Sequence, residues 1–372
     1  MRMFDTQRGR VVPLEVDASD EVKIYTCGIT PYDAAHLGHA AVYVTFDVLA
    51  RHLARHRRRA RCVRNVTDVD DDILRKAREL GTNYLDLAAM EIAQFDRDMA
   101  ALGVQRPASE PRATSAIAEI LSMVQDLFDR GHAYEVDGWV YFSVETQPTF
   151  GSVSHLSREE MIELARERGG NPEDPRKRDP LDFVLWQPSE SDEPAWDSRF
   201  GPGRPGWHIE CSALAMRELG PVVDIHGGGS DLIFPHHECE AAQSQAITGQ
   251  PFVRHWVHVG MVRLGGVKMS KSLGNLVFVR ELLKEVPAPV IRLALLSQHY
   301  RSSWEWTDAI LDEARERYER WRAAGSGDGG VEEVDKALDD DLDTPGALWA
   351  IDQAVRKGRG VDQAARMLGV AL

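Results

Sequence analysis

Short apolar runs that end in glycine, separated by stretches of helical periodicity, constrain this chain most. Val22-Lys23-Ile24-Tyr25-Thr26 alternates apolar and polar residues and runs into Cys27-Gly28, the period-two pattern of a strand reaching a loop. From Gly38 to about Leu53, the apolar residues Val42, Phe46, Leu49 and Leu53 recur at helical spacing. A second strand is expected at Cys62-Val63-Arg64-Asn65-Val66. A third is expected at Val222-Val223-Asp224-Ile225, which leads into Gly227-Gly228-Gly229. Strands that alternate with helices predict an α/β fold built on a parallel sheet.

The pattern changes twice along the 372 residues. Between about Pro107 and Pro205 a helix near Ala116–Arg130 and a hairpin-like Tyr134–Val144 precede segments rich in proline, glycine and charge. This reads as an insertion that splits the α/β domain into 1–106 and 206–296, with 107–205 between them. After about Ser297 the chain turns helical, with Ile310–Arg322 and Asp343–Arg356 separated by the flexible Gly325-Ser326-Gly327-Asp328-Gly329-Gly330. Residues 297–372 are expected to form a small helical domain.

Charge limits the partners. With 44 Lys+Arg against 59 Asp+Glu the formal charge is −15, which opposes general attraction to nucleic acid or an anionic membrane. The run Arg55-His56-Arg57-Arg58-Arg59-Ala60-Arg61 could contact nucleic acid. It equally follows a helix C-terminus, where cations complement exposed carbonyls, and reads as a solvated face. The N-terminal residues lack an apolar core of signal-peptide length, and no apolar run is long enough to span a bilayer. A cytoplasmic location is therefore expected. Four cysteines without paired spacing, Cys27, Cys62, Cys211 and Cys239, argue against a disulfide framework and leave free thiols or metal ligands.

Three constellations carry chemistry. His36-Leu37-Gly38-His39 lies where the first strand hands over to its helix, and Gly38 lets the backbone approach a bound phosphate closely. Imidazoles three residues apart share one face, although alone the string could be two surface histidines. Lys268-Met269-Ser270-Lys271-Ser272, between Gly265-Gly266 and Gly274-Asn275, reads as a loop that brings two ammonium groups to a triphosphate, or as a solvated lysine pair. In attack on an α-phosphate, such cations stabilise the charge that builds on the departing pyrophosphate. Cys27, Cys211, His236 and Glu240 offer two thiolates, an imidazole and a carboxylate, a set suited to zinc. Each cysteine taken singly could instead be a small buried hydrophobe.

The histidine string followed by the lysine loop is the signature of class I aminoacyl-tRNA synthetases. From Cys27-Gly28-Ile29-Thr30 through Gly227–Glu240 to the lysine loop, the chain resembles cysteinyl-tRNA synthetases over almost its whole length. That resemblance implies a Rossmann-like class I parallel sheet, an inserted connective domain and a C-terminal helical domain. It implies that Cys27, Cys211, His236 and Glu240 hold Zn2+, and that His36, His39, Lys268 and Lys271 serve ATP, with Mg2+ accompanying the nucleotide. Trp207, Thr67 and Ser230-Asp231 would form the cysteine pocket. Gly28, Ile29, Thr30, Asn65, Val66, Gly229 and Val262 would complete the adenylate site.

A related family is similar in finer detail: the ligases of mycothiol biosynthesis, which join cysteine to the amine of glucosaminyl-inositol. Thr30-Pro31-Tyr32-Asp33-Ala34-Ala35-His36-Leu37-Gly38-His39-Ala40 resembles their version of the first motif. Glu167-Arg168-Gly169-Gly170-Asn171-Pro172 resembles a Glu-Arg-Gly-Gly-Asp-Pro segment, with Asn171 in place of aspartate. The chain also stops at Leu372, about where a synthetase would begin an anticodon-binding domain, and 307–372 carries 15 Asp+Glu against 9 Lys+Arg. Besides Asn171, two positions depart from these ligases: Glu240, which the synthetases share, and Val42, where the ligases have threonine. The resemblance implies an enzyme that forms cysteinyl-adenylate from L-cysteine and ATP and passes the acyl group to glucosaminyl-inositol, with tRNA not a partner; a monomer is expected. A short cysteinyl-tRNA synthetase is the alternative. An inactive synthetase relative serving as a binding module is disfavoured by the intact His36, His39, Lys268 and Lys271.

Overall fold

The computed structural model describes residues 1–16, 20–269 and 274–372. Its centre is a four-stranded parallel sheet in the order Val253–Val259, Val223–Gly229, Glu21–Ile29, Arg59–Val66. Both faces are covered, as parallel strands require. Ile24 and Val257 join the core beneath the Leu37–Arg55 helix, while their neighbours Tyr25 and Trp256 join the one shared with the Trp207–Leu219 helix.

Connectivity places the site. The Leu37–Arg55 helix leads from Glu21–Ile29 to Arg59–Val66, and the Glu238–Thr248 helix leads from Val223–Gly229 to Val253–Val259. The chain therefore departs in opposite directions from the two central strands, and a crevice opens beyond their carboxyl ends. Cys27-Gly28-Ile29 and Gly227–Gly229 both end there.

The Ile117–Asp129 helix and the antiparallel sheet Ala133–Val136, Trp139–Phe142, Phe183–Pro188, Gly203–Pro205 form a separate layer. Its core contains Val140, Phe142, Leu185 and Trp186, and continues into Ile209 and Leu214 of the Trp207–Leu219 helix. The helices Ala288–Leu296, Asp308–Ala324, Val331–Asp339, Thr344–Arg356 and Asp362–Met367 follow the sheet. Trp321, Leu338 and Ile351 share one apolar core with Val44 and Leu49 of the Leu37–Arg55 helix. Buried Arg292 ties these layers together, donating to Leu102 O at 2.9 Å and Leu368 O at 2.7 Å and pairing with Asp47. Elements absent from the sequence reading include the sheet strand Val253–Val259, an N-terminal hairpin, Arg2–Asp5 with Arg10–Pro13, the helices Asp71–Leu80 and Tyr84–Ala101, and a small sheet of Val262–Leu264, Val267–Lys268 and Trp304–Glu305. Among the described residues, no helix is long and apolar enough to cross a membrane.

Candidate active site

Cys27 at the end of its strand, Cys211 on the Trp207–Leu219 helix, and His236 with Glu240 at the start of the Glu238–Thr248 helix converge below the crevice. One ligand atom from each lies within 4.8 Å of all the others, and all four residues are buried. Cys27 Sγ stands 3.3 Å from Glu240 Oε1, and His236 Nε2 is 3.3 Å from Cys211 Sγ and 3.1 Å from Glu240 Oε1. Burial pushes the Cys27 thiol well up and raises Cys211 as well, so a positive ion is the natural means of ionising them. Burial drives His236 down to about 3. It also works upward on Glu240, but the neighbouring His226 and His236 outweigh it and hold this carboxyl below its usual range.

The imidazole is oriented for ligation. His236 Nδ1 lies 2.8 Å from His208 Nδ1, and burial holds the His208 ring down at about 3, hence neutral. When His236 Nδ1–H donates to His208, Nε2 presents its lone pair to the sulfur atoms, the arrangement in which an outer partner fixes the tautomer of a metal-binding histidine. Trp207 stacks on the other side, with ring centroids 4.1 Å apart at 26°. The donor set thus fits a thiophilic divalent ion.

Asn65 organises the strand ends. Its Oδ1 accepts from Gly28 N at 2.8 Å, and its Nδ2 donates to Thr67 Oγ1 at 3.3 Å and toward Cys211 Sγ at 3.2 Å. Gly28 is required here because a Cβ at this position would fall 1.5 Å from Asn65 O. Thr67 N continues the ladder to Ile29 O at 3.0 Å.

Above this cluster lies a cleft of about 850 Å³, within the usual range for a small-molecule site. Cys27, Gly28, Ile29, Thr30, His36, His39, Trp207, Gly229, Asp231 and Val262 line it, as does Val42. Asn65, Val66, Thr67, Cys211, His236 and Glu240 are buried behind that lining. Ser230 sits between two lining residues in the Ser230–Leu232 turn. His36 is the N-cap of the Leu37–Arg55 helix, its Nδ1 accepting from Gly38 N at 3.1 Å. This bond leaves the proton on Nε2 as a donor. The His39 ring stacks on it at 3.9 Å, and the first helical turn has no acidic residue. A helix terminus of this kind presents amide N–H groups and partial positive charge. Lys268 ends the Val267–Lys268 strand, which pairs with Arg263–Leu264 at the cleft's edge; Lys271 lies outside the described residues.

Several residues of the site escaped the sequence reading. His226 Nε2 is 3.1 Å from Glu240 Oε2, and His237 Nδ1 is 2.7 Å from His258 Nε2, whose Nδ1 is 2.7 Å from Thr6 Oγ1. The signal for His226 and His258 is a polar residue set in an apolar strand run, whereas His237 lies in the Ile233–His237 turn before the Glu238–Thr248 helix. The Glu167–Pro172 segment is fastened to the cysteine side of the cleft, with Arg168 donating to Asp231 O at 2.5 Å and to Phe234 O. The inserted layer supplies a polar wall: Asp174 pairs with Arg176 at 2.8 and 2.7 Å and accepts from Tyr141 at 2.8 Å, and the Arg176 guanidinium lies 3.9 Å over the Trp139 ring.

The family described as tRNA synthetases class I (C) catalytic domain matches residues 13–316. An L-cysteine:1D-myo-inositol 2-amino-2-deoxy-alpha-D-glucopyranoside ligase of Streptomyces griseus is 52% identical, with 95% of this chain and 88% of that one aligned. The chain belongs to this ligase family, within the class I synthetases. A ligase of the same description from Acidothermus cellulolyticus is 48% identical over 94% of this chain and 88% of its own. The fold is that of class I synthetases: the methionyl-tRNA synthetase of Mycobacterium tuberculosis, in complex with methionyl-adenylate, superposes with a TM-score of 0.68 at 17% identity, covering 90% of this chain and 82% of that one.

Proposed function

We infer that this chain is an ATP-dependent ligase that activates L-cysteine as cysteinyl-adenylate and transfers it to the amine of glucosaminyl-inositol, a step of mycothiol biosynthesis. One observation carries the chemistry: a buried cluster of two thiols, an imidazole and a carboxylate reaches, through Cys27, the same cleft that the His36-capped helix terminus lines. The Streptomyces griseus and Acidothermus cellulolyticus ligases, aligned over nearly the whole chain, supply the acceptor.

Cys27, Cys211, His236 and Glu240 are the residues that would hold zinc, and bound zinc would take the substrate thiol as thiolate. Serine's hydroxyl cannot imitate that ligand at neutral pH, so selection does not rest on size alone. The rest of the chemistry belongs to the protein and to magnesium-bound ATP. The cysteine carboxylate attacks the α-phosphorus in line, a P–O bond forms, and pyrophosphate leaves. His36 Nε2–H, His39 and the amides at the start of the Leu37–Arg55 helix receive phosphate oxygens. Lys268 and Lys271 offset the charge that grows on pyrophosphate. The free amine of the acceptor then attacks the adenylate carbonyl, an amide forms, AMP departs, and the ammonium proton passes to solvent or a nearby base. Asp174 and Arg176 line the cleft and offer an acceptor and donors to a polyhydroxylated acceptor of this size, with buried Tyr141 holding Asp174 from behind, and the fastened Glu167–Pro172 segment lies beside them. Cysteine-dependent ATP–pyrophosphate exchange tests the first half-reaction. Exchange with cysteine and none with serine is expected, and equal exchange with both would overturn the mode of selection.

A further inference from the structure

The Leu37–Arg55 helix carries histidines at both ends. His36 and His39 face the cleft, whereas His52 and His56, four residues apart, lie at its C-terminus, roughly 23 Å away along the axis. They face the Val331–Asp339 helix, which presents Asp335 and Asp339 at the same spacing. Residues four apart occupy one helical face, so two matched pairs confront each other across the junction of sheet domain and helical segment.

We propose that His52, His56 and Asp339 form a second metal site for a divalent transition ion of the zinc, cobalt and nickel class, clamping the C-terminal helices to the end of the Leu37–Arg55 helix. Ligand atoms from these three residues all lie within 4.8 Å of one another. His52 is buried, whereas His56 is exposed and leaves an approach from solvent. Two imidazoles and one carboxylate favour these ions over magnesium or calcium.

The nitrogens of His52 supply an independent argument. Nε2 is 2.8 Å from Asp339 Oδ1, whereas Nδ1 is buried without a hydrogen-bond partner, 3.8 Å from Asp335 Oδ1. If Nε2–H donates to Asp339, the ring leaves a buried lone pair on Nδ1, an arrangement that costs stability. With an ion on Nε2 the ring proton resides on Nδ1, facing the Asp335 carboxylate. This is the carboxylate–histidine–metal order of many metal sites. Asp335 is held in place by Arg55 Nε at 3.0 Å and contacts His56 Nε2 at 3.2 Å, and the Met1 amino group lies 3.5 Å from Asp339 Oδ1. These cations hold the carboxylates together without the ion, and the ion displaces the weaker Met1 contact.

Calorimetric titration of the full chain with zinc alone, after chelation and dialysis, counts the sites by difference. His56→Ala and Asp339→Asn are each expected to bind one equivalent fewer than the parent chain, or to bind it at least tenfold more weakly, whatever the Cys27–Cys211 cluster takes up. His56 is exposed and Asp339→Asn preserves shape, so both variants are expected to keep the parent's cysteine-dependent exchange rate, which reports that they are folded. Zinc should also raise the thermal midpoint of the parent more than that of either variant. Equal stoichiometry and affinity in the parent and both variants would overturn the proposal.

Discussion

Replacing Gly28 by alanine puts a methyl carbon 1.5 Å from Asn65 O and 2.6 Å from Asn65 C, both backbone atoms of the adjoining strand. Ordinary contact would require the strands to part by about 2 Å at this point, whereas well-packed cores tolerate added methyl groups only at a cost of about 1–3 kcal/mol even when side chains can move. Backbone cannot swing away as a side chain does, so the expected loss is about 3 kcal/mol or more. Parting the strands also breaks the Gly28 N–Asn65 Oδ1 bond and pulls Asn65 from Cys211. Asn65→Ala separates the two effects: it deletes those hydrogen bonds without the clash and should cost about 1–3 kcal/mol, the penalty of stranding a buried donor. Urea unfolding and cysteine-dependent exchange, measured on both variants, should rank the parent above Asn65→Ala and Asn65→Ala above Gly28→Ala. A Gly28→Ala protein with the parent's unfolding midpoint and exchange rate would refute the close approach and its role in building the site.

Removal of metal by a chelator should abolish cysteine-dependent exchange, and zinc should restore it; full exchange in protein verified as metal-free would contradict the ligand assignment. Lys268→Ala and Lys271→Ala should each lose about 2–4 kcal/mol of transition-state stabilisation in adenylate formation, with cysteine binding little changed. Pre-steady-state measurement separates these steps, and variants that form adenylate normally but fail in amide formation would remove the lysines from the first step. Burial raises the Asp70 carboxyl from 3.8 to about 7. The stability tied to its bound proton is therefore complete below pH 3.8 and is lost as pH rises through 7. Asp70 caps the Asp71–Leu80 helix by accepting from Asp72 N at 2.7 Å, and asparagine caps equally well. Asp70→Asn should therefore lose less stability than the parent between pH 5 and pH 8 in urea unfolding, and identical losses would argue against a protonated Asp70 in this half-buried position.

The strand into Cys27 and the helix after Gly38 were legible because period-two and helical apolar spacing follow each other within a few residues. Helix Ile117–Asp129 and the hairpin Ala133–Phe142 lie within a few residues of their expected places, as do the helices Asp308–Ala324 and Thr344–Arg356. Cys27, Cys211, His236 and Glu240 could be grouped by chemistry although their separations in sequence say nothing about distance; the sheet connectivity supplies that. The sheet's fourth strand, Val253–Val259, was missed because His255 and His258 interrupt its apolar run, and both turn out to be buried. His226 was missed for a related reason. A histidine inside an apolar segment has no period of its own, and its partner can lie far away in sequence, as Thr6 does from His258. The helix Asp71–Leu80 is so rich in charge that its buried residues, Ile73, Leu74 and Ala77, leave only a thin apolar stripe. Within the basic run Arg55–Arg61, Arg55 pairs with Asp335, and Arg59 and Arg61 lie beside Glu21.

The most direct test of the central claim is a product assay with purified protein, ATP, magnesium and cysteine, offering glucosaminyl-inositol or tRNA separately at one enzyme concentration. An unprotonated amine attacks an acyl-adenylate more readily than a ribose hydroxyl, so positioning in the cleft suffices for amide formation. Cysteinyl-glucosaminyl-inositol should form with release of AMP and pyrophosphate, and tRNA should remain uncharged. Efficient cysteinyl-tRNA formation with no amide product would contradict the account and make this chain a short cysteinyl-tRNA synthetase.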